Sequence, residues 1–450
     1  MTEIIRKKLN DSAFARWTAL LIVSVTMMAA YFFTDVMSPL ETILTTAKQD
    51  GGLGWTSDEY GFFSGSYGFF NVFLFLLFFG GIILDKFGIR ITGVLATSMM
   101  VGGALIKWYA VGHEFEGSLF GYNMQVIFAC LGFAIYGVGA EISGITVSKI
   151  LVKWFTGHEL ALAMGVQVAL ARFGTAAALS FALPFARSFG GVPASVGLGV
   201  ALLAIALISF LVYCVMDRKL DPETKNKIED KEEGFQMSDL KILFTNKGFW
   251  YINLLCLMFY AGVFPFLKFA TKFMIIKYGV DEEMAGYLPS MLPYGTIVLT
   301  PLFGLIYDKI GKGATLMLLG SILLTLVHVV FALPGVNSVF VAIGMMIVLG
   351  VSFGLVPSAM WPSVPKIIPM QLLGSAYALI FYIQNIGLAL VPILIGNVNQ
   401  ANTTSDGTID YTLSMSIFAA FGVVAILLSL LLKAEDKRKG YGLEQPNIKE

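Results

Sequence analysis

The chain has 450 residues, of which 57% are hydrophobic and only 13% charged; its mean hydropathy is +0.78, and 30 Lys+Arg balance 30 Asp+Glu. Soluble domains carry about 25% charged residues, so a water-soluble protein is excluded and an integral membrane protein is expected. With no basic excess to hold phosphate backbones, a nucleic-acid partner is not expected.

The N-terminus carries Arg6, Lys7 and Lys8 before an apolar stretch running from Trp17 to Met37. That stretch is longer than a cleavable signal core and is followed by no small-residue cleavage site, so it reads as a retained span. A membrane-crossing helix needs about 20 mainly apolar residues. Six such spans are expected in the first half, near 16–38, 59–84, 91–112, 121–150, 159–186 and 192–216. Six more are expected near 249–276, 285–307, 314–333, 338–360, 372–398 and 411–433. The fold class is therefore all-α membrane protein, with twelve spans in two six-helix bundles, 16–216 and 249–433. A tail at 1–15, a charged linker at 217–248 and a tail at 434–450 complete the chain. The linker has no long apolar run and mixes seven basic with eight acidic residues, which reads as a solvated connection. Pro265 and Pro357 interrupt the seventh and tenth spans, and such breaks border cavities in transporters. Cys130, Cys214 and Cys256 all sit in apolar runs, so neither a disulfide framework nor a metal cluster is expected.

Lys and Arg set orientation. With both termini cytoplasmic, 23 of the 30 fall on inside segments and six outside, with Arg172 inside a span. This predicts cytoplasmic termini and places the sequon Asn402, Thr403, Thr404 outside.

Two charges stand at the middle of spans: Glu141 in the fourth and Arg172 in the fifth. A central charge costs about 2.5–3.5 kcal/mol even on lenient insertion scales, so it should face a partner, a cavity or a substrate. Two readings stay open: the pair holds the two helices together, or each residue takes one end of a ligand. A lone buried glutamate is also able to carry a coupling proton. Other candidates for the cavity are Asp35, Tyr67, Asn71, Gln167, Lys268, Gln384 and Asn385. Tyr67 and Asn71 share a helix face, whereas adjacent Gln384 and Asn385 point about 100° apart. Lys107 and Lys149, near span ends, are expected to snorkel to the membrane surface. His328 is assigned no chemistry. No H-E-x-x-H, Walker or dinucleotide motif is complete, so neither an enzyme nor a cofactor is expected.

The loop after the second span carries Gly81, Asp85, Lys86, Gly88 and Arg90; the loop after the eighth carries Gly304, Asp308, Lys309 and Gly311. Gly, Asp, Lys and Gly recur at a spacing of 223 residues (304 against 81), which reads as an internal repeat of two halves. Charges beside a tight glycine turn suit a gate whose contacts form in one conformation and release in another. In these residues the chain resembles the major facilitator superfamily, whose loop reads G-x-x-x-D-[RK]-x-G-[RK]-[RK]. It departs from that pattern at Ile89 and Gly313. The resemblance implies a central cavity and alternating access.

A narrower resemblance runs through Gly139 to Glu141, Lys153 to Phe155, Gly165 and Gln167, Ala171 to Gly174, Trp361 and Pro362, Gly374 to Tyr377, and Ile383 to Leu388. These segments are similar to the lysosomal dipeptide transporter branch. That branch implies a helix-four glutamate and a helix-five arginine 31 residues apart that engage dipeptide; here the positions are 141 and 172. The chemistry fits a zwitterion, since a carboxylate accepts from an ammonium and a guanidinium donates twice to a carboxylate. The reading is a monomeric secondary transporter for dipeptide-like solutes in a plasma or bacterial inner membrane, with proton coupling left open. An organic-anion exchanger and a non-transporting nutrient sensor are the alternatives.

Overall fold

The computed structural model describes residues 12–155, 158–224, 243–369, 372–404 and 407–447, apart from the side chains at 78, 85, 161 and 221–224. Long helices dominate, because lipid offers no partner for backbone N–H and C=O groups and a helix satisfies them internally. The N-terminal bundle holds α1 (Ala13–Asp35), α2 (Ser57–Ser66), α3 (Phe69–Phe73), α4 (Leu76–Gly112), α5 (Met124–Phe155), α6 (Leu160–Phe189) and α7 (Val192–Thr224). The C-terminal bundle holds α8 (Lys247–Tyr278), α9 (Tyr287–Ile310), α10 (Gly313–Ala332), α11 (Val339–Ile367), α12 (Leu373–Ala401) and α13 (Thr412–Lys439).

Among the described residues, eleven helices are long and apolar enough to cross a membrane. The twelfth expected span, 59–84, is present in pieces: α2, α3 and the start of α4. It breaks around Tyr67–Gly68 and again at Leu74–Phe75, where Phe75 takes a left-handed φ of 54°. A phenylalanine there is a local strain, held by stacking on Tyr382 of α12 at 5.3 Å. α2 starts cleanly, because Thr56 and Glu59 form a reciprocal capping box. The tenth span extends past its expected end to Ile367.

Two sequence boundaries shift. Residues 217–224, read as solvated linker, continue α7, and Asp217 is fully buried. It accepts from Lys153 Nζ at 2.8 and 2.9 Å, Trp154 Nε1 at 3.2 Å and Tyr213 Oη at 3.0 Å, with Arg90 at 3.5 Å. Residues 225–242 of the linker lie outside the described residues. The C-terminal tail is not free either: its segment 440–447 packs onto the second repeat loop.

Candidate functional site

A cavity of about 3240 Å³ lies between the bundles, lined by α1, α2, α4, α5 and α6 on one side and α8, α9, α11 and α12 on the other. It extends to the face that carries the repeat loops, since Gly81, Lys86, Lys149, Lys153, Gly304 and Gly374 line it. The opposite face is closed by contacts between bundles. Lys268 of α8 pairs with Asp35 of α1 at 2.6 Å and donates to Thr34 O at 2.9 Å. Tyr60 of α2 donates to Lys268 O at 2.7 Å, and Ser57 N donates to Gln400 Oε1 of α12 at 2.9 Å. Lys272 donates to Thr45 Oγ1 at 2.8 Å and lies 3.8 Å from fully buried Glu41. Arg187 pairs with Glu282 at the rim. α2 and α12 meet almost backbone to backbone, for a Cβ on Gly61 would stand 2.8 Å from Gly396 Cα.

Glu141 and Arg172 both line the cavity, and they do not pair with each other. Glu141 accepts from the Tyr67 hydroxyl at 2.9 Å. Tyr67 is brought there by close packing on α5, where a Cβ on Gly137 would stand 2.1 Å from Tyr67 O. The Arg172 guanidinium lies among three rings, 5.8 Å from Tyr31, 5.5 Å from Phe264 and 5.2 Å from Phe353. These rings face a cation, and among the described residues no carboxylate pairs with its N–H groups. Tyr31 stands within the field of Arg172, Glu141 and Asp35 together. The site thus presents one acceptor and one donor of opposite charge, each held by neutral groups.

The remaining sequence candidates divide. Asp35, Tyr67, Gln167, Lys268 and Gln384 line the cavity. Asp35 and Lys268 are tied to each other, with Thr175 also donating to Asp35 Oδ2 at 2.8 Å. Asn71 does not line the cavity. It is fully buried and donates to Gly137 O at 3.3 Å, one turn from Glu141 on α5, so it faces the same helix as Tyr67 but is covered there. Asn385 is buried as well, donating to Phe381 O at 3.0 Å, and its side chain lies beside Glu141. Lys107 does not snorkel. It is fully buried, with its ammonium 4.1 Å and 4.2 Å from the rings of Phe33 and Phe133. His328 is buried, its Nε2 hydrogen-bonded to Gly262 O at 2.8 Å and its ring packed against Phe266, Phe331 and Phe418.

Of the repeat-loop residues, Gly88 and Gly311 adopt left-handed φ of 76° and 79°. Lys86 and Lys309 are exposed, and the side chain of Asp85 lies outside the described residues. Asp308 accepts from Asn447 at 2.7 Å. Sequence reading missed the Arg172 rings and the pair Glu41 and Lys272. Rings are so common in these helices that none signals its role until the helices are packed.

The family model for the major facilitator superfamily matches residues 7–392. The chain is 29% identical over 387 residues to the lysosomal dipeptide transporter MFSD1 of Danio rerio, covering 82% of this chain and 77% of that protein. It is 30% identical over 342 residues to the lysosomal dipeptide transporter MFSD1 of Mus musculus, covering 72% and 68%. Among solved structures it superposes on the nucleoside transporter NupG with a TM-score of 0.72 at 16% identity, over 92% and 99% of the two chains. It superposes on a peptide transporter POT in complex with alafosfalin with a TM-score of 0.68 at 14% identity, over 96% of each. These likenesses agree with the two-bundle fold and with a transporter rather than an enzyme, and the chain belongs to the major facilitator superfamily.

Proposed function

We propose that this transporter moves dipeptides, or zwitterions of similar length, by alternating access. The carrying observation is that Glu141 and Arg172 share one cavity without pairing, each supported by uncharged side chains. Two unneutralised charges of opposite sign select a solute carrying both an ammonium and a carboxylate over one that carries either alone. Glu141 accepts from the ammonium, and Arg172 donates to the carboxylate. The similarity to lysosomal dipeptide transporters supports the same solute class.

The open repeat-loop face and the closed Asp35–Lys268 face correspond to one end state of the cycle. The excess of Lys and Arg on the loop face supports assigning it to the cytoplasm, in a plasma or bacterial inner membrane. The other end state requires Lys268 and Lys272 to leave Asp35 and Glu41 while the loops close.

The test is uptake of alanyl-alanine into liposomes containing the full chain, with and without an imposed pH gradient, beside thermal-shift titrations. Arg172→Ala and Glu141→Gln are each expected to remove saturable uptake while the folded fraction stays unchanged. Uptake that survives Arg172→Ala overturns the site. Exchange of organic acids without dipeptide uptake overturns the solute class and favours an anion exchanger that depends on Arg172 alone.

A further inference from the structure

The two walls of the cavity differ in chemistry. Among the described residues, the N-terminal wall carries six charged side chains: Asp35, Lys86, Glu141, Lys149, Lys153 and Arg172. The C-terminal wall carries one, Lys268, which is already bound to Asp35. In place of charges it carries a run of aromatic rings that starts at Arg172. Phe264 and Phe353 flank the guanidinium and pack on Tyr260 at 5.4 and 5.6 Å. Tyr260 adjoins Trp361 at 6.5 Å, and Trp361 stacks on Phe381 at 5.0 Å with the planes 27° apart. One turn beyond Phe381 on α12 stands Asn385, beside Glu141. The run therefore begins at the group assigned to a carboxylate and ends near the group assigned to an ammonium.

The indole N–H of this run is already used. Trp361 Nε1 donates to Tyr260 Oη at 3.2 Å, and Tyr377 Oη donates to Trp361 O at 3.3 Å. What the wall offers a ligand is ring faces and edges beside neutral polar groups such as Ser358 and Gln384, with no further charge among the described residues. Phe381 is 39% exposed, and it lines the cavity. An apolar ring left open there gains free energy when a ligand covers it.

From this asymmetry we infer that the C-terminal wall is a side-chain subsite, formed by Tyr260, Trp361 and Phe381, that selects dipeptides bearing an aromatic or large apolar side chain. The inference rests on the dipeptide reading above and adds a division of labour. The N-terminal bundle binds the termini, which all dipeptides share, and the C-terminal bundle reads what differs between them. A ligand side chain carrying its own charge would lose water against this wall and find no free counter-charge on it. Because the side chain bridges from the N-terminal anchors to the opposite wall, a large one also draws the two bundles together.

The experiment is a thermal-shift and uptake-competition series on the full chain with alanyl-alanine, alanyl-phenylalanine, phenylalanyl-alanine, alanyl-glutamate and alanyl-lysine. The better of the two phenylalanine dipeptides is expected to bind roughly tenfold or more tighter than alanyl-alanine. Both charged dipeptides are expected to bind more weakly than the phenylalanine ones. Phe381→Ala is expected to cut that phenylalanine-to-alanine ratio several-fold, and Trp361→Leu to cut it further. Phe381→Leu, which keeps an apolar side chain there, should retain most of the ratio, and it serves as the control for folding. Equal binding across the series, tighter binding of a charged dipeptide, or a ratio unmoved by Phe381→Ala overturns the subsite while leaving the dipeptide reading intact. If no dipeptide binds the unsubstituted chain, the dipeptide reading fails, and the subsite falls with it.

Discussion

The two repeat loops each turn on a glycine of positive φ but are held by different forces. In the first, Gly88 is left-handed and Arg90 reaches Asp217, buried at the end of α7 together with Lys153, Trp154 and Tyr213. In the second, Gly311 is left-handed too, but the residue at the register of Arg90 is Gly313, which has no charge to offer. The C-terminal segment supplies the bond instead. Gly313 N donates to Leu443 O at 2.9 Å and Lys312 N to Glu444 O at 3.1 Å. The Glu444 carboxylate accepts from Thr315 N at 2.9 Å and Thr315 Oγ1 at 2.8 Å, while Asn447 caps Asp308. A repeat thus preserves the positive-φ glycine and leaves each half to find its own support. The first uses a buried ion cluster, the second a strap of main-chain and capping hydrogen bonds.

Five substitutions test that contrast, each read as a thermal midpoint or denaturant midpoint in detergent. Asp217→Asn strips the buried cluster of the Asp217 charge and leaves Lys153 and Arg90 facing a neutral amide there. A loss on the order of 3 kcal/mol is expected, and a loss below about 1 kcal/mol would show that the cluster is not what holds the first loop.

The glycines come next. Both forbid a side chain by conformation, but a Cβ at Gly88 meets open space, whereas one at Gly311 would stand 2.6 Å from Gln445 C and Glu444 O. Gly311→Ala should therefore cost about 1–3 kcal/mol more than Gly88→Ala. In a chain ending at Lys439 the difference should vanish. A difference that persists there would mean that the tail is not the obstacle.

Glu444→Ala removes two charge-assisted bonds at a half-buried carboxylate, for an expected loss of about 1–2 kcal/mol. Lys433→Met is the smallest change. Its ammonium lies 3.7 Å from Glu444 and its side chain is 42% exposed, so a loss of at most about 1 kcal/mol is expected, shrinking further in high salt. If Lys433→Met cost more than Glu444→Ala, the strap would owe its strength to charge after all, and the contrast between the loops would weaken.

Some of this was legible in the sequence because lipid makes it local. Apolar length marks the spans, and the recurrence of Gly, Asp, Lys and Gly marks the two halves. Glu141 and Arg172 stand out because charge at a span centre is costly wherever it points. Direction was harder. Asn71 reads as a second cavity residue beside Tyr67 on one helix face. Both do turn toward α5, but only Tyr67 reaches the cavity, while Asn71 is covered where it meets Gly137. Lys107 reads as a surface anchor from its place near a span end, but packing puts it among Phe33 and Phe133.

By itself, then, the sequence determined that this chain lives in a membrane, that it folds as two related bundles, and which charges stand inside them. These follow from properties carried within single segments. Only the tertiary structure decided that Glu141 and Arg172 stand apart in one cavity, that aromatic rings fill the wall opposite, and that the C-terminal segment returns to strap the second loop. Each of these depends on how helices are rotated about their axes and which distant segments meet, and hydropathy, which measures burial without direction, carries neither.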